Sequence, residues 1–507
     1  MSRKLMLLLM LGVCLTLPLQ AQDAAPSGEL VIALANDPTS LFVPRAADPT
    51  ANNAAHPLYD SLISLDANNV ILPQLAASLE ISADGTEYTF NLRQDVSFHN
   101  GEAFDAQSVL ATWETGKDPS NEYADVYAAV TNVEIIDRFT VKMTTNGANP
   151  TFIAELSGTW AMIPPVYMAE VGIEGFEQAP VGTGPFKFVE RIAGERIVYD
   201  ANLDYWQPGQ PKVARVIFRI IPDPAARLAA IQSGELDIAN RLSIDAVATL
   251  EGNANIRILT YPNDSVYYVA FKNIGNGIGT PLADVRVRQA LNLAVNRQGI
   301  IDTIFGGEAS LISGFIVQTN LGYTDAMQPY AYNPEQAKAL LAEAGYTAGF
   351  AISMGCPTDV YLNINAVCLA IQTDLRAVGV EVTVDFKDSN TYWSLAQYGA
   401  VGPMLVDSWQ SAVGEALPRL QGALLPGNFY NAWEDETITA LINQIAVTVD
   451  RDERAALYGE IQAYMFETAP FIYLYQLNVF EAINVKVTGY VPRPAEDYDL
   501  RQVAITE

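Results

Sequence analysis

Segments with the two-residue period of a strand and segments with the 3.6-residue period of a helix follow one another along most of the chain. This interleaving constrains the fold more than any other feature. Leu30-Val31-Ile32-Ala33-Leu34 is a short apolar run that ends in the turn-forming Asn36-Asp37-Pro38-Thr39-Ser40. Tyr88-Thr89-Phe90-Asn91-Leu92 and Val133-Glu134-Ile135 alternate as half-buried strands do. Asn333-Pro334, the stretch 335–344 and Gly345 set out an N-cap, a proline in the first turn and a glycine stop. Residues 450–468 place Leu457, Ile461, Tyr464 and Met465 on one helical face. Such alternation builds α/β lobes rather than a sandwich or a bundle. The 507 residues, at ~150 per domain, suggest two or three domains. No repeat, low-complexity tract or Gly/Ser linker separates them, so the domains are packed together or joined by short crossovers.

The N-terminus carries an address. Arg3 and Lys4 precede the apolar run 5–17, and Pro18-Leu19-Gln20-Ala21 follows. This is the layout of a secretory signal peptide over residues 1–21, and the run is shorter than the ~20 apolar residues that span a bilayer. Cleavage after Ala21 is expected, with Gln22 as the mature terminus. Leu11-Gly12-Val13-Cys14 resembles a bacterial lipobox, so a lipidated Cys14 is the alternative start. A lipid there would tether the protein to a membrane without changing what it does. Export also bears on the two remaining cysteines, because thiols outside the cytoplasm meet an oxidising compartment. Cys356 ends an apolar run and Cys368 falls early in a helical stretch, so a disulfide would pin strand end to helix start. Two buried free thiols are the other reading, and either role is structural.

Chemistry has little to work with. The 29 basic and 58 acidic residues give a formal charge of −29, which repels nucleic-acid phosphates. Three cysteines and two histidines are too few for a zinc module, and neither metal nor cofactor is expected. Gly116-Lys117-Asp118 lacks the spacing of a phosphate loop, and Gly275-Asn276-Gly277-Ile278-Gly279 lacks the strand-then-helix context of a dinucleotide fingerprint. No G-x-S-x-G elbow occurs. His56 and His99 stand apart from any Ser or Cys motif; His99, in Phe98-His99-Asn100-Gly101-Glu102, reads as a structural residue at a strand end. No catalytic residue is assigned.

Five segments together resemble one family. Val181-Gly182-Thr183-Gly184-Pro185-Phe186 looks like the GTGP-aromatic turn of the family 5 extracellular solute-binding proteins, the dipeptide, oligopeptide and nickel binders of ABC importers. Phe98-His99-Asn100-Gly101-Glu102 is similar to their FHDG-like segment. Asp284-Val285-Arg286-Val287-Arg288-Gln289-Ala290-Leu291-Asn292, with Ala294-Val295-Asn296-Arg297, resembles their D-x-R-V-R-x-A-L run and the A-I-D-R that follows. Residues 333–346 resemble their D-P-x-x-A helix ending in A-G-Y, and 454–470 their closing helix ending in A-P.

The resemblance implies a two-lobed type II periplasmic-binding fold. Lobe I would comprise 27–70, 180–262 and 482–507, an inserted subdomain 71–179, and lobe II 263–481. The hinge would lie near Tyr267 and Tyr268 and near Tyr473 and Tyr475, with the solute enclosed between the lobes. The implied function is capture of a peptide-like solute and delivery to an ABC permease, by a periplasmic or otherwise extracytoplasmic protein, expected to be a monomer. Its membrane contact would come only through the permease or a lipid on Cys14. A non-peptide solute such as an oligosaccharide is the alternative, and a secreted enzyme a more distant one. One departure matters. Where the family's peptide-amine anchor lies in a W-x-x-D-x-x-D-P segment, this chain has Trp409-Gln410-Ser411-Ala412-Val413-Gly414-Glu415-Ala416, with Ala412 in place of the anchoring Asp. Trp409 is the leading ligand contact, as an apolar platform with one N–H donor. Asp407, Ser408, Glu415 and Tyr430 are the other candidates near it. Ser40, after the first strand, with a turn cap as its other reading, and Trp160, in the insert, with buried packing as its other reading, complete the expected site.

Overall fold

The strand Phe471–Asn484 ties the molecule together. Nearly all of its side chains are buried, so it reads as a continuous apolar run rather than an alternation. The computed structural model describes residues 25–46, 49–66, 70–358, 360–394, 398–410, 414–493 and 496–506. The expected signal segment with Cys14, and Ala412, lie outside the described residues. The first half of the long strand pairs with Ser265–Phe271 and the second half with Ile256–Pro262.

This change of partner divides the sheet between two lobes. In lobe I, Glu29–Leu34 runs parallel to Arg215–Ile220 on one side and Ile238–Ala239 on the other. Arg215–Ile220 then continues antiparallel into Arg196–Ala201 and Phe186–Ile192. In lobe II, Ser265–Phe271 pairs with Met404–Gln410, beyond which Phe350–Pro357 and Val380–Lys387 lie parallel. The chain crosses between lobes at Asn263-Asp264 and again near Gln476-Leu477-Asn478.

The four tyrosines expected near the hinge lie close to these crossings. Tyr267, Tyr268, Tyr473 and Tyr475 all lie inside paired strands of lobe II. Tyr268 packs edge-on against Phe315 and Phe471, Tyr473 packs against Phe315, and Tyr267 stacks on Tyr475 at 5.0 Å. Ladder hydrogen bonds hold these backbones, and the adjoining Gln476 and Leu477 pair with Ala309–Ser310.

The inserted subdomain is a four-stranded antiparallel sheet in the order Ala76–Ile81, Glu87–Leu92, Thr140–Thr145, Val130–Asp137. Burial alternates along Glu87–Leu92, as its sequence period requires. Ala106–Gly116 packs on this sheet, with Asp105 in a capping box. The helix Pro165–Gln178, expected within the insert, instead sends Met168 and Phe176 into the lobe I core.

Local signals are realised where they need only near neighbours. Asn333 caps Pro334–Glu343 by accepting from the Gln336 amide at 3.0 Å, and Gly345 follows at φ +94°. Asp450 accepts from the amides of Asp452 and Glu453 and starts Arg451–Thr468. The Val181–Phe186 turn has a packing reason for its glycines. A Cβ on Gly182 would lie 2.1 Å from the Leu58 carbonyl oxygen, and one on Gly184 2.5 Å from the Leu58 carbonyl carbon. His99 fits between them, accepting from the Gly182 amide on Nδ1 and donating from Nε2 to the Gly184 carbonyl. Burial lowers its pKa to about 4, so the ring stays neutral and holds the turn. Cys356, at the end of Phe350–Pro357, is disulfide-bonded to Cys368 in Ile364–Ala377.

Candidate ligand-binding cleft

The parallel strands of lobe I, Glu29–Leu34, Arg215–Ile220 and Ile238–Ala239, end at one edge. The carboxyl ends of Phe350–Pro357, Val380–Lys387 and Met404–Gln410 form the edge of lobe II beside the same crossings. Ligands of open α/β sheets bind outside such ends, and a cleft between lobes is the usual place for a solute.

The lobe II wall is aromatic around one carboxylate. Asp407 is buried near the end of Met404–Gln410 and accepts from Tyr361 Oη at 2.8 Å and from Trp393 Nε1 at 3.4 Å. The Ser408 amide donates to Tyr361 Oη at 3.1 Å. Burial, and then the Asp407 charge, push the Tyr361 phenol far above the usual tyrosine range, so it remains a donor. Tyr361 meets Tyr267 edge-on at 5.3 Å. Trp409 is half-buried at the rim, edge-on to Tyr430 at 5.2 Å, with Phe429 beyond. A Cβ on Gly422 would lie 2.0 Å from Trp409 Cη2, so the indole lies directly on the backbone of Leu417–Leu424.

From lobe I, Arg241 and Glu496 act electrostatically on Tyr267 of this wall. They are paired at 2.8 Å, and both have positive φ, +50° and +61°. Burial pushes the Tyr267 phenol up to about 12, with Glu496 adding to the shift and Arg241 opposing it. Nearby in lobe I, Glu481 is buried and accepts from Tyr261 Oη at 3.0 Å and Tyr490 Oη at 2.9 Å. Burial raises this carboxyl to about 7.

Three expected contacts are used elsewhere. Trp160 is fully buried in the insert, stacked on Tyr127 at 4.6 Å and edge-on to Phe152. It is core, because the insert needs a large apolar side chain there. Glu415 is gripped by Arg454 through two hydrogen bonds, 2.9 and 2.6 Å, and accepts a third from Tyr458 at 3.0 Å. That bidentate pair commits the carboxylate to fastening its loop onto Arg451–Thr468. Glu415 also lines a cavity of about 130 Å³ that includes Tyr88 and Ile153 of the insert, at the contact between insert and lobe II. The Ser40 hydroxyl accepts from the Phe42 amide at 3.0 Å and donates to Glu177 at 2.8 Å, bracing its turn against Pro165–Gln178. Asp407, Ser408, Trp409 and Tyr430 are brought together. Tyr361, Trp393, Arg241 and Glu496 were not anticipated. Only the bracketing of Tyr361 by Cys356 and Cys368 offered a local signal.

Comparison with known proteins agrees with this architecture. Residues 70–431 match the family model described as bacterial extracellular solute-binding proteins, family 5 middle. The chain is 29% identical over 489 residues to the dipeptide-binding protein of Escherichia coli (strain K12), covering 90% of each. It is 30% identical over 478 residues to heme-binding protein A of Haemophilus influenzae, covering 87% of this chain and 86% of that one. Among solved structures, HbpA2 from Haemophilus parasuis superposes with a TM-score of 0.87 at 27% identity, over 95% of this chain and all of that one. With the motifs, the two lobes and the cleft between them in agreement, the chain belongs to the family 5 bacterial extracellular solute-binding proteins.

Proposed function

We propose that this protein captures a small peptide-like solute between its lobes, outside the cytoplasm, and delivers it to the permease of an ABC importer. The observation that carries the reading is the lobe II wall beside the lobe crossings, where Trp409 with Tyr430 and Tyr361 with Ser408 cluster at the carboxyl end of Met404–Gln410. Relatives include a dipeptide-binding protein and glutathione-binding proteins, and solved neighbours include a Helicobacter pylori protein in complex with the peptide STSA. An aromatic wall gives apolar contact to side chains of varied shape, and closure excludes water and strengthens the hydrogen bonds that remain. The signal segment 1–21 fits export, with release after Ala21 or lipidation of Cys14 as the two forms to distinguish. Binding alone accounts for the groups at the cleft.

Native mass spectrometry of freshly purified protein tests the reading. Copurified peptide masses support it. A hexose ladder overturns the peptide assignment, and turnover of the copurified molecule overturns binding without catalysis.

A further inference from the structure

We propose that Arg241, fixed by Glu496 at the lobe I edge of the cleft, is the anchor for a carboxylate of the bound solute. The inference rests on the solute-capture reading and adds the chemical class of the group recognised.

Arg241 follows Ile238–Ala239, a parallel strand whose carboxyl end opens on the cleft beside the lobe crossing. Its backbone sits at φ +50°, a region that a side chain with a Cβ enters only when its surroundings hold it there. Two contacts do so. The buried Arg227 guanidinium donates to the Arg241 carbonyl at 3.3 Å, while also holding the carbonyls of Ile221 and Pro222. The next amide, Leu242, donates to Phe480 of the long strand at 3.2 Å.

The guanidinium is oriented as well. Glu496 accepts from Nε at 2.8 Å, and among the described residues the two Nη atoms make no hydrogen bond. The Glu496 side chain is 9% exposed and that of Arg241 37% exposed, so the carboxylate is shielded while the fork remains open. An end-on fork matches the two oxygens of a carboxylate. Tyr267 of lobe II lies within electrostatic reach of both charges. The net charge of −29 opposes approach of an anion from a distance, so retaining one demands a local, oriented cation. Arg241 supplies it.

The test uses the full mature chain, first stripped of bound solute, and two probes. One is a tryptic digest of casein, and the other is the same digest with every carboxyl methyl-esterified. Bound peptides are recovered and weighed. Wild-type protein should retain peptides from the free-acid digest and lose them, or bind them roughly 10- to 100-fold more weakly, after esterification. Arg241→Gly suits the left-handed backbone and removes only the side chain; it should lose the same discrimination while keeping the wild-type melting temperature. Arg241→Lys keeps charge without the fork and should recover only part of the affinity. Equal retention of both digests by wild-type protein, or unchanged discrimination in Arg241→Gly, overturns the anchor and leaves solute capture standing. Retention of neither digest overturns the peptide reading itself.

Discussion

Trp409 and Glu481 show how burial decides what a side chain can do. Trp409 is half-buried, with Tyr430 at its edge and Gly422 beneath it, so part of its surface remains for a ligand. Trp409→Ala should weaken binding of the copurified solute by about 2–4 kcal/mol, measured by calorimetric titration. A collapsed melting temperature with unchanged affinity would instead make it packing. Trp160 is the contrast, because truncating that fully buried ring should cost stability of about 3–5 kcal/mol and leave affinity intact. Glu481 has its carboxyl raised to about 7 from an ordinary value of 4.5. The folded state therefore binds this proton more tightly than the unfolded chain does. The stabilisation is complete below pH 4.5 and is lost as pH rises through 7, a change on the order of 3 kcal/mol. Glu481→Gln keeps the shape, its amide oxygen accepting from one of Tyr261 and Tyr490 and its amide N–H donating to the hydroxyl oxygen of the other, and should flatten that decline. Melting temperatures from pH 4 to 9 should converge at the acid end and favour the variant at the alkaline end; parallel curves would refute the assignment.

Among the elements, the segment closed by Cys356 and Cys368 joins stability to the site. The disulfide spans twelve positions and encloses Tyr361, the donor to Asp407. Closing a loop of this length removes unfolded-state freedom worth about 2–3 kcal/mol. Replacing both cysteines with alanine should lower urea-unfolding stability by that amount and also reduce solute affinity, because Tyr361 loses its tether. If only stability falls, Tyr361 is positioned by other contacts. The strand and the helix that the disulfide joins were legible from the apolar run ending at Cys356 and the helical stretch that carries Cys368. The partners of Tyr361 were not, since Asp407 is 46 positions away. The tyrosines expected near the hinge show the same limit. Only the pairing of Phe471–Asn484 shows where one ladder stops and the next begins.

The molecule as a whole is two lobes in contact through the insert. A Cβ on Gly85 would lie 2.2 Å from Val449 Cγ2 and 3.5 Å from the Ala148 Cβ, so lobe II approaches the insert closely there. Solute can favour closure only by making contacts in the closed state that the open state lacks. Val449→Glu places a charge into that apolar contact and touches no residue of the proposed cleft. It should reduce affinity about 10-fold and leave a larger radius of gyration in saturating solute, read by small-angle scattering. Wild-type compaction in the variant would show that the contact plays no part in closure.

By itself the sequence determined the α/β class, the family motifs, the helix caps and the aromatic segment at the cleft, since each depends on residues a few positions apart. It also left Glu415 and Trp160 as candidate ligand contacts. Only the tertiary structure decided those, because a carboxylate is free or committed according to whether Arg454 reaches it, 39 positions on. The Arg241–Glu496 pair is the extreme case. Its partners are 255 positions apart, and no local period, cap or motif encodes a contact that exists only once the distant segments of lobe I have come together.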